Sequence, residues 1–361
     1  MSSKIVFLTN SMGFYKQHNV IGLMSGTSLD GVDLAFVSFY HDKSWQYQLG
    51  VCQTIPYDEQ WQKELKELHL KPISEIQESS QRYAIYLSQL LSDFILKHNL
   101  QVDLICSHGH TVLHQPEKGI TLQIGDGKII NTQLNIPVVY DFRTLDVELG
   151  GQGAPLVPIG DELLFSEYDY CLNLGGFSNF SFNNDGLRQA YDICPVNIVL
   201  NEYAHKLGEE YDNEGQIAKT GSINNELLKE LNAINYYQQL PPKSLGKEWL
   251  EKDFLPILKK YNDSTPNIMR TVVEHIAIQI ADCIKSGHCL VTGGGALNTF
   301  LMQRIAANSQ ANFILGNKKL IEYKEALIFG FLGVLNRENQ INCLASVTGA
   351  KRNSIVGKYF A

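Results

Sequence analysis

Apolar and polar positions along the chain switch between two periods. Ile21 to Met24 and Val32 to Val37 are apolar arms around a polar, glycine-containing turn, which predicts strand–turn–strand over residues 19–39. Another strand is expected near Tyr47 to Thr54. Tyr83, Leu87, Leu90, Leu91 and Phe94 recur at helical spacing and predict a helix over 80–98. Val102 to Cys106 reads as a short buried strand running into a histidine-bearing loop, Ser107 to His114. Thr121 to Asp126 and Pro137 to Tyr140 read as strands.

A second round begins at Tyr170 to Leu174. Gly175-Gly176 and a strand over Phe177 to Phe182 repeat the strand–glycine turn–strand of the N-terminal part, which hints at two related halves. Pro195 suits the first position of a helix whose inward set is Val196, Val199, Leu200, Tyr203 and Leu207, with Gly208 as its stop. Residues 209–252 read as an insertion near a cleft mouth. Further helices are expected over Thr271 to Lys285, after Asn298, and over 325–337, with a strand at Cys289 to Val291. The glycine- and proline-rich run Gly150 to Pro158 reads as a shaped loop at a domain junction. The expected organisation is therefore a first domain of residues 1–141 with the tail from about 344 to 361 returning to it, and a second domain of 142–343. Residues 1–18 have no assignable role.

Composition sharpens this little. The 361 residues are 44% hydrophobic and 19% charged, an ordinary globular balance with room for sizeable cores. A net charge of −8 argues against a broad nucleic-acid or anionic-membrane surface. The seven cysteines are scattered with no Cys-x-x-Cys pair, which fits reduced thiols rather than disulfides or zinc. No apolar run approaches the roughly 18 residues of a membrane span, and the N-terminal apolar run is too short for a signal-peptide core. A cytoplasmic protein is the expectation.

Three places carry candidate chemistry. In the first turn, Gly26 and Gly31 permit close backbone approach, Thr27 and Ser28 offer hydroxyls, and Asp30 and Asp33 suit a hydrated divalent cation. An unliganded hairpin turn explains the same residues. Gly293-Gly294-Gly295, between a strand and a helix start, suits a nucleotide platform, although a tight βα turn accounts for it equally. Asp192 is expected just before a helix N-terminus, where the dipole favours its ionised form, either as a base or as an ordinary cap. His108, His110 and His114 read first as hydrogen-bonding loop residues, since their spacing matches no zinc-helix motif.

Taken together, the stretches 24–33, 107–112, 141–143 with 150–158, 173–179, 292–298 and 347–350 resemble the anhydro-N-acetylmuramic acid kinases, in the right order and over nearly the whole chain beyond residue 18. The resemblance implies an α/β fold of two ribonuclease H-like domains, of the actin and hexokinase type, with ATP and Mg2+ in the interdomain cleft. It implies that Gly26, Thr27, Ser28, Leu29, Asp30, Gly31, Val32 and Asp33 form one phosphate turn and Gly175 and Gly176 the other. Gly293, Gly294 and Gly295 would lie against adenosine, and Asp30 and Asp33 would hold the metal. Asp192 would be the base in hydrolytic opening of a 1,6-anhydro sugar with phosphorylation of O6. Arg143, Glu325 and His108 would be sugar contacts, Arg143 equally a salt-bridge anchor for the junction loop. A homodimer is compatible with this, while nucleic acid and membrane partners are not expected. The sequence differs from the usual pattern at Ile193, Cys194 and Val196 beside Asp192, at His110, and at Ile159-Gly160-Asp161. These differences leave open a kinase for another sugar, or a nucleotide-binding regulator without turnover.

Overall fold

A computed structural model describes residues 16–26 and 29–361; the expectations for Thr27 and Ser28, and for most of 1–18, lie outside the described residues. The first two strands form as expected. β1 (Gln17–Ser25) and β2 (Gly31–His41) pair antiparallel, and β3 (Trp45–Pro56) adds to β2. Helices α1 (Glu59–Glu67) and α2 (Ile73–His98) follow. β4 (Leu104–Gln115) then runs parallel to β1, with β5 (Ile120–Ile124) folded back on it. After α3 (Gly127–Leu134), β6 (Val138–Tyr140) runs parallel to β4 on its other side.

Helices α4 (Thr144–Glu148) and α5 (Pro158–Leu164) lead into the second sheet. There β7 (Tyr170–Leu174), β8 (Phe177–Asn184) and β9 (Leu187–Pro195) form an antiparallel meander. α6 (Asn197–His205) is followed by short helices α7 (Gln216–Thr220), α8 (Asn225–Asn232), α9 (Lys247–Trp249) and α10 (Leu255–Lys260), then by α11 (Thr265–Cys283). β10 (His288–Thr292) lies parallel to β7. After α12 (Thr299–Asn308), β11 (Asn312–Leu315) lies parallel to β10. The chain ends with α13 (Lys318–Arg337), α14 (Ala345–Thr348) and β12 (Lys358–Phe360), which pairs antiparallel with β6.

The two sheets share one topology. In each, three antiparallel strands are followed by two strands parallel to the first: β6-β4-β1-β2-β3 in one sheet and β11-β10-β7-β8-β9 in the other. That is the ribonuclease H-like order, used twice. The echo between the two glycine turns therefore reflects a duplicated architecture.

Side-chain alternation sets which face of the first sheet meets what. Ile21, Leu23, Val32 and Leu34 pack with Tyr83, Leu87, Leu91 and Phe94 of α2. Val20, Ala35, Val37 and Phe39, on the other face, pack with Leu327, Ile328, Phe331 and Leu335 of α13. The same cluster takes in Cys171 and Leu290 of the second sheet, so α13 is wedged between the two sheets. A Cβ on Gly22 would come within 1.8 Å of the Ala326 carbonyl oxygen, so only glycine lets the helix settle on β1. Helix α13 packs mainly on the first sheet, although it lies N-terminal to the tail from about 344 that was expected to return there.

Several elements differ from the sequence expectation. Ser107 to His114 is not a loop but the continuation of β4. Pro195 does not open a helix: it ends β9, opposite Phe177, and α6 starts at Asn197. The carbonyls of Gly175 and Gly176 take the amides of Val196, Asn197 and Ile198, which ties the start of α6 to the glycine turn. β9 and β11 escape periodicity because Arg188, Gln189 and Asp192 break the apolar alternation of one and the other is only four residues long. α13 starts seven residues before 325, where Asn317 caps it by accepting from the Leu320 amide at 3.0 Å.

Candidate functional site

Strand alternation carries Asp33 onto the face of β2 that looks toward α13. Its backbone neighbours in the sheet are Met24 on β1 and Thr54 on β3. Thr54 donates to Asp33 Oδ1 at 2.6 Å and stands 3.1 Å from the Tyr323 hydroxyl. These residues open onto a cavity of about 440 Å³ whose wall includes Gly26, Asp30, Asp33, Glu322, Tyr323 and Glu325. Leu29 adopts a left-handed φ of 62°, uncommon for a residue with a side chain, and its amide reaches the Gly26 carbonyl. Tyr323 interrupts the helical dihedrals of α13 at the cavity wall (φ −119°, ψ 15°).

The electrostatics of this cavity favour a cation. Partial burial pushes the Asp33 carboxyl up, and the charges of Asp30 and Glu322 add to that, against the hydrogen bond from Thr54. Glu325 has solvent access from the cavity, yet surrounding protein raises its pKa; Arg143 opposes this and Asp33 reinforces it. Four carboxylates around one space repel each other until a cation enters. A divalent ion that keeps most of its waters needs only one or two of them, so the donors of Asp30 and Asp33 suit a hydrated divalent cation. Among the described residues no cluster of three or more ligands forms a dedicated metal cage.

The three histidines separate. Leu104, Cys106 and His108 face α13, and the His108 ring lies 4.6 Å from that of Phe329. Gly109, at φ 68°, forms a bulge that shifts the register, and His110 ends on Ser25 Oγ at 3.1 Å. His114 pairs with Thr121 at 3.1 Å. His108 Nδ1 faces the Gly109 carbonyl at 2.9 Å, which requires it to carry the proton. Its Nε2 is therefore an acceptor, and Arg143 donates to it from Nε at 3.0 Å and Nη2 at 2.9 Å. Burial first, then the Arg143 charge, hold His108 neutral, well below the ordinary histidine value. Arg143 also donates from Nη1 to the Gly153 carbonyl at 2.6 Å, and burial brings its pKa down to about 10, so it stays charged. The junction loop is anchored twice: by Arg143, and by buried Asp146, which accepts from the Gly153 amide at 2.8 Å and from Thr348 at 2.7 Å.

In the second unit, the glycine turns meet at the ends of β7 and β10. Gly293 has φ 81°, and a Cβ there would lie 2.5 Å from Asn173 Oδ1; one on Gly295 would lie 2.8 Å from Leu174 Cβ. Gly294, by contrast, is exposed with almost nothing near it. Packing therefore explains two of the three glycines, and the middle one presents bare backbone. Gly294 and Gly295 belong to a single 3-10 turn, Gly294–Leu297, that precedes α12, so the triple glycine does not itself open that helix. Asn197 ties the pieces together by donating to the Leu174 carbonyl at 3.2 Å. The carbonyls of Gly175 and Gly176 are occupied by the α6 amides, while Gly176 itself is exposed.

Asp192 is not a helix cap. It lies within β9 opposite Asn179, and its Oδ2 accepts from the Leu245 amide at 2.8 Å. Tyr236 donates to its carbonyl at 2.6 Å. Burial raises the carboxyl, and the Leu245 hydrogen bond restrains the rise. The 209–252 stretch thus folds over Asp192. The structure gathers Gly26, Asp30, Gly31, Asp33 and Glu325 around one cavity, and joins Arg143 to His108. Asp192 and the glycines at 175–176 and 293–295 belong to the second sheet and do not line that cavity. Sequence reasoning missed Thr54, Glu322 and Tyr323. Only the β2–β3 register and the wedge of α13 bring them in.

Comparison with known proteins agrees with this architecture. The family model described as anhydro-N-acetylmuramic acid kinase matches residues 18–361. A protein of that name from Sulfurimonas denitrificans is 33% identical, and ones from Mannheimia succiniciproducens and Pseudomonas fluorescens are 34% identical. Each alignment covers 94% of this chain and 98% of the relative. A match of that extent, on a duplicated ribonuclease H-like fold, means that the chain belongs to the anhydro-N-acetylmuramic acid kinase family.

Proposed function

We propose that this protein is an ATP-dependent kinase that opens 1,6-anhydro-N-acetylmuramic acid with water and phosphorylates O6, giving N-acetylmuramic acid 6-phosphate and ADP in the recycling of peptidoglycan. The end-to-end family match carries the reading, and the acidic cavity beside the first glycine turn supports it.

The chain's own residues divide the work. Asp30 and Asp33 hold a hydrated Mg2+, which when bound offsets phosphate charge. The backbone at 26–33 and 175–176 receives the phosphates, and the open face of Gly294 receives adenosine. Opening the anhydro ring needs water to attack the anomeric carbon and a carboxylate to take its proton. Asp192 is assigned that role: its raised pKa makes it a better proton acceptor than an ordinary aspartate, and Leu245 fixes its orientation. The departing O6 acquires phosphoryl rather than a proton, so a second acid is not needed. Arg143 and Glu325, with His108 holding the arginine, are assigned to the sugar.

The test is incubation with magnesium-ATP and 1,6-anhydro-N-acetylmuramic acid, following ADP and the phosphosugar. Stoichiometric formation of both supports the assignment. Turnover only with other sugars, or nucleotide binding with no turnover, overturns it.

A further inference from the structure

A second cavity, of about 500 Å³, lies away from the candidate cleft, where the end of α5 meets the outer ends of β7 and β8. Its wall includes Arg188, Glu162, Ser166, Tyr168, Asp169 and Ser286. Arg188 is the cation of this set and only 5% exposed. It donates from Nη2 to Ser181 Oγ at 2.6 Å, while its buried Nε has no hydrogen-bond partner among the described residues. A buried guanidinium N–H without an acceptor is costly.

The charge around Arg188 is also unbalanced. Its nearest carboxylate, Asp161, is 4.0 Å away and is claimed by buried Lys324, whose Nζ is 2.7 Å from Oδ1. Burial would discharge Lys324, but Asp161 outweighs it and keeps the amine protonated. The neighbouring Cys171 thiol is pushed up by burial to about 12 and contributes no charge. One buried carboxylate thus serves two buried cations. At the mouth the sign reverses. Glu162 and Asp169 offer carboxylates, the latter already accepting from the His288 amide at 2.8 Å.

We propose that this cavity binds a small carboxylate that also carries hydroxyl or amino donors, with its carboxylate on Arg188 and its donors toward Glu162 and Asp169. Arginine matches a carboxylate in planar, bidentate geometry. The acidic mouth disfavours a dianion such as phosphate, and the serines and Tyr168 complete a polar wall. Nothing in the kinase reaction requires this site.

The experiment is calorimetric titration of the full-length protein, its cleft saturated with a non-hydrolysable ATP analogue and Mg2+, using L-serine, L-lactate and inorganic phosphate as probes. Saturable binding of serine or lactate is expected, weakened tenfold or more in Arg188→Met and by an intermediate factor in Arg188→Lys, whose ammonium keeps the charge but not the bidentate fork. Analogue binding reports that each variant is folded. The proposal is overturned if neither carboxylate saturates the wild-type protein below about 10 mM. It is equally overturned if phosphate binds more tightly than both, or if a folded Arg188→Met binds them as well as wild type.

Discussion

Replacing Arg143 with methionine tests the electrostatic architecture of the junction. Methionine keeps much of the length but removes every donor. His108 Nε2, on a ring only 4% exposed, would lose both of its arginine donors, and the Gly153 carbonyl would lose a contact of 2.6 Å. A buried acceptor left without a partner costs about 1–3 kcal/mol, and the more accessible loop carbonyl about 1 kcal/mol, so the sum is roughly 2–4 kcal/mol. For a chain of this size about 2 °C of melting temperature is lost per kcal/mol, which gives a fall of roughly 4–8 °C. The loop should not detach, because Asp146 still holds the Gly153 amide. Differential scanning calorimetry against wild type measures the shift. A double variant with His108→Phe removes both ends of the interaction and should be no less stable than Arg143→Met alone. A melting temperature within about 1 °C of wild type for Arg143→Met, or strictly additive losses in the double variant, would show that the pair does not hold the junction.

The remaining expectations concern other links. Asp192→Asn keeps the Leu245 hydrogen bond sterically possible but cannot accept a proton; kcat should fall about 100-fold or more with nucleotide affinity retained, and near-normal turnover removes Asp192 from the mechanism. Gly22→Ala forces a Cβ against the Ala326 carbonyl, a backbone atom that cannot swing aside. It should cost at or above the roughly 1–3 kcal/mol of ordinary overpacking, visible as loss of soluble protein or of denaturant midpoint. Glu274 ties α11 to α12: burial raises its carboxyl, but hydrogen bonds from Arg304, Arg270 and Asn308 outweigh that and hold it at about 2. Its folded pKa lies below the unfolded value, so its stabilisation is present at neutral pH and is lost as pH falls from about 4.5 through about 2. Glu274→Gln should therefore be less stable than wild type at pH 7, with the gap narrowing on acidification; a gap independent of pH would contradict the assignment.

Much of the local structure around the candidate site was readable in the sequence. The apolar arms around residues 26–31 specify a strand–turn–strand because alternation over a few residues is a local property. Asp33 is committed to one face by its spacing from Ala35 and Val37. The repeated glycine turn at 175–176 announced the second half for the same reason. Local pattern failed where long-range partners set the conformation. The histidine stretch looked like a loop, yet pairing with β1, β5 and β6 extends it as β4, and one positive-φ glycine sends His108 and His110 to different partners. Pro195 looked like a helix start, but pairing with Phe177 of β8 keeps it in a strand, and the Gly175-Gly176 carbonyls take the amides that follow, where α6 begins.

By itself, then, the amino-acid order determined the family, the α/β class and which residue types stand at the two glycine turns and at positions 33 and 192, because side-chain chemistry and short-range periodicity are written in consecutive positions. Tertiary structure alone decided that α13 lies between the sheets, that Thr54, Tyr323 and Glu322 join Asp33, and that Arg143 is held by a neutral histidine. Those outcomes depend on the register of paired strands and on close approach of backbones distant in sequence, and neither leaves a local signature.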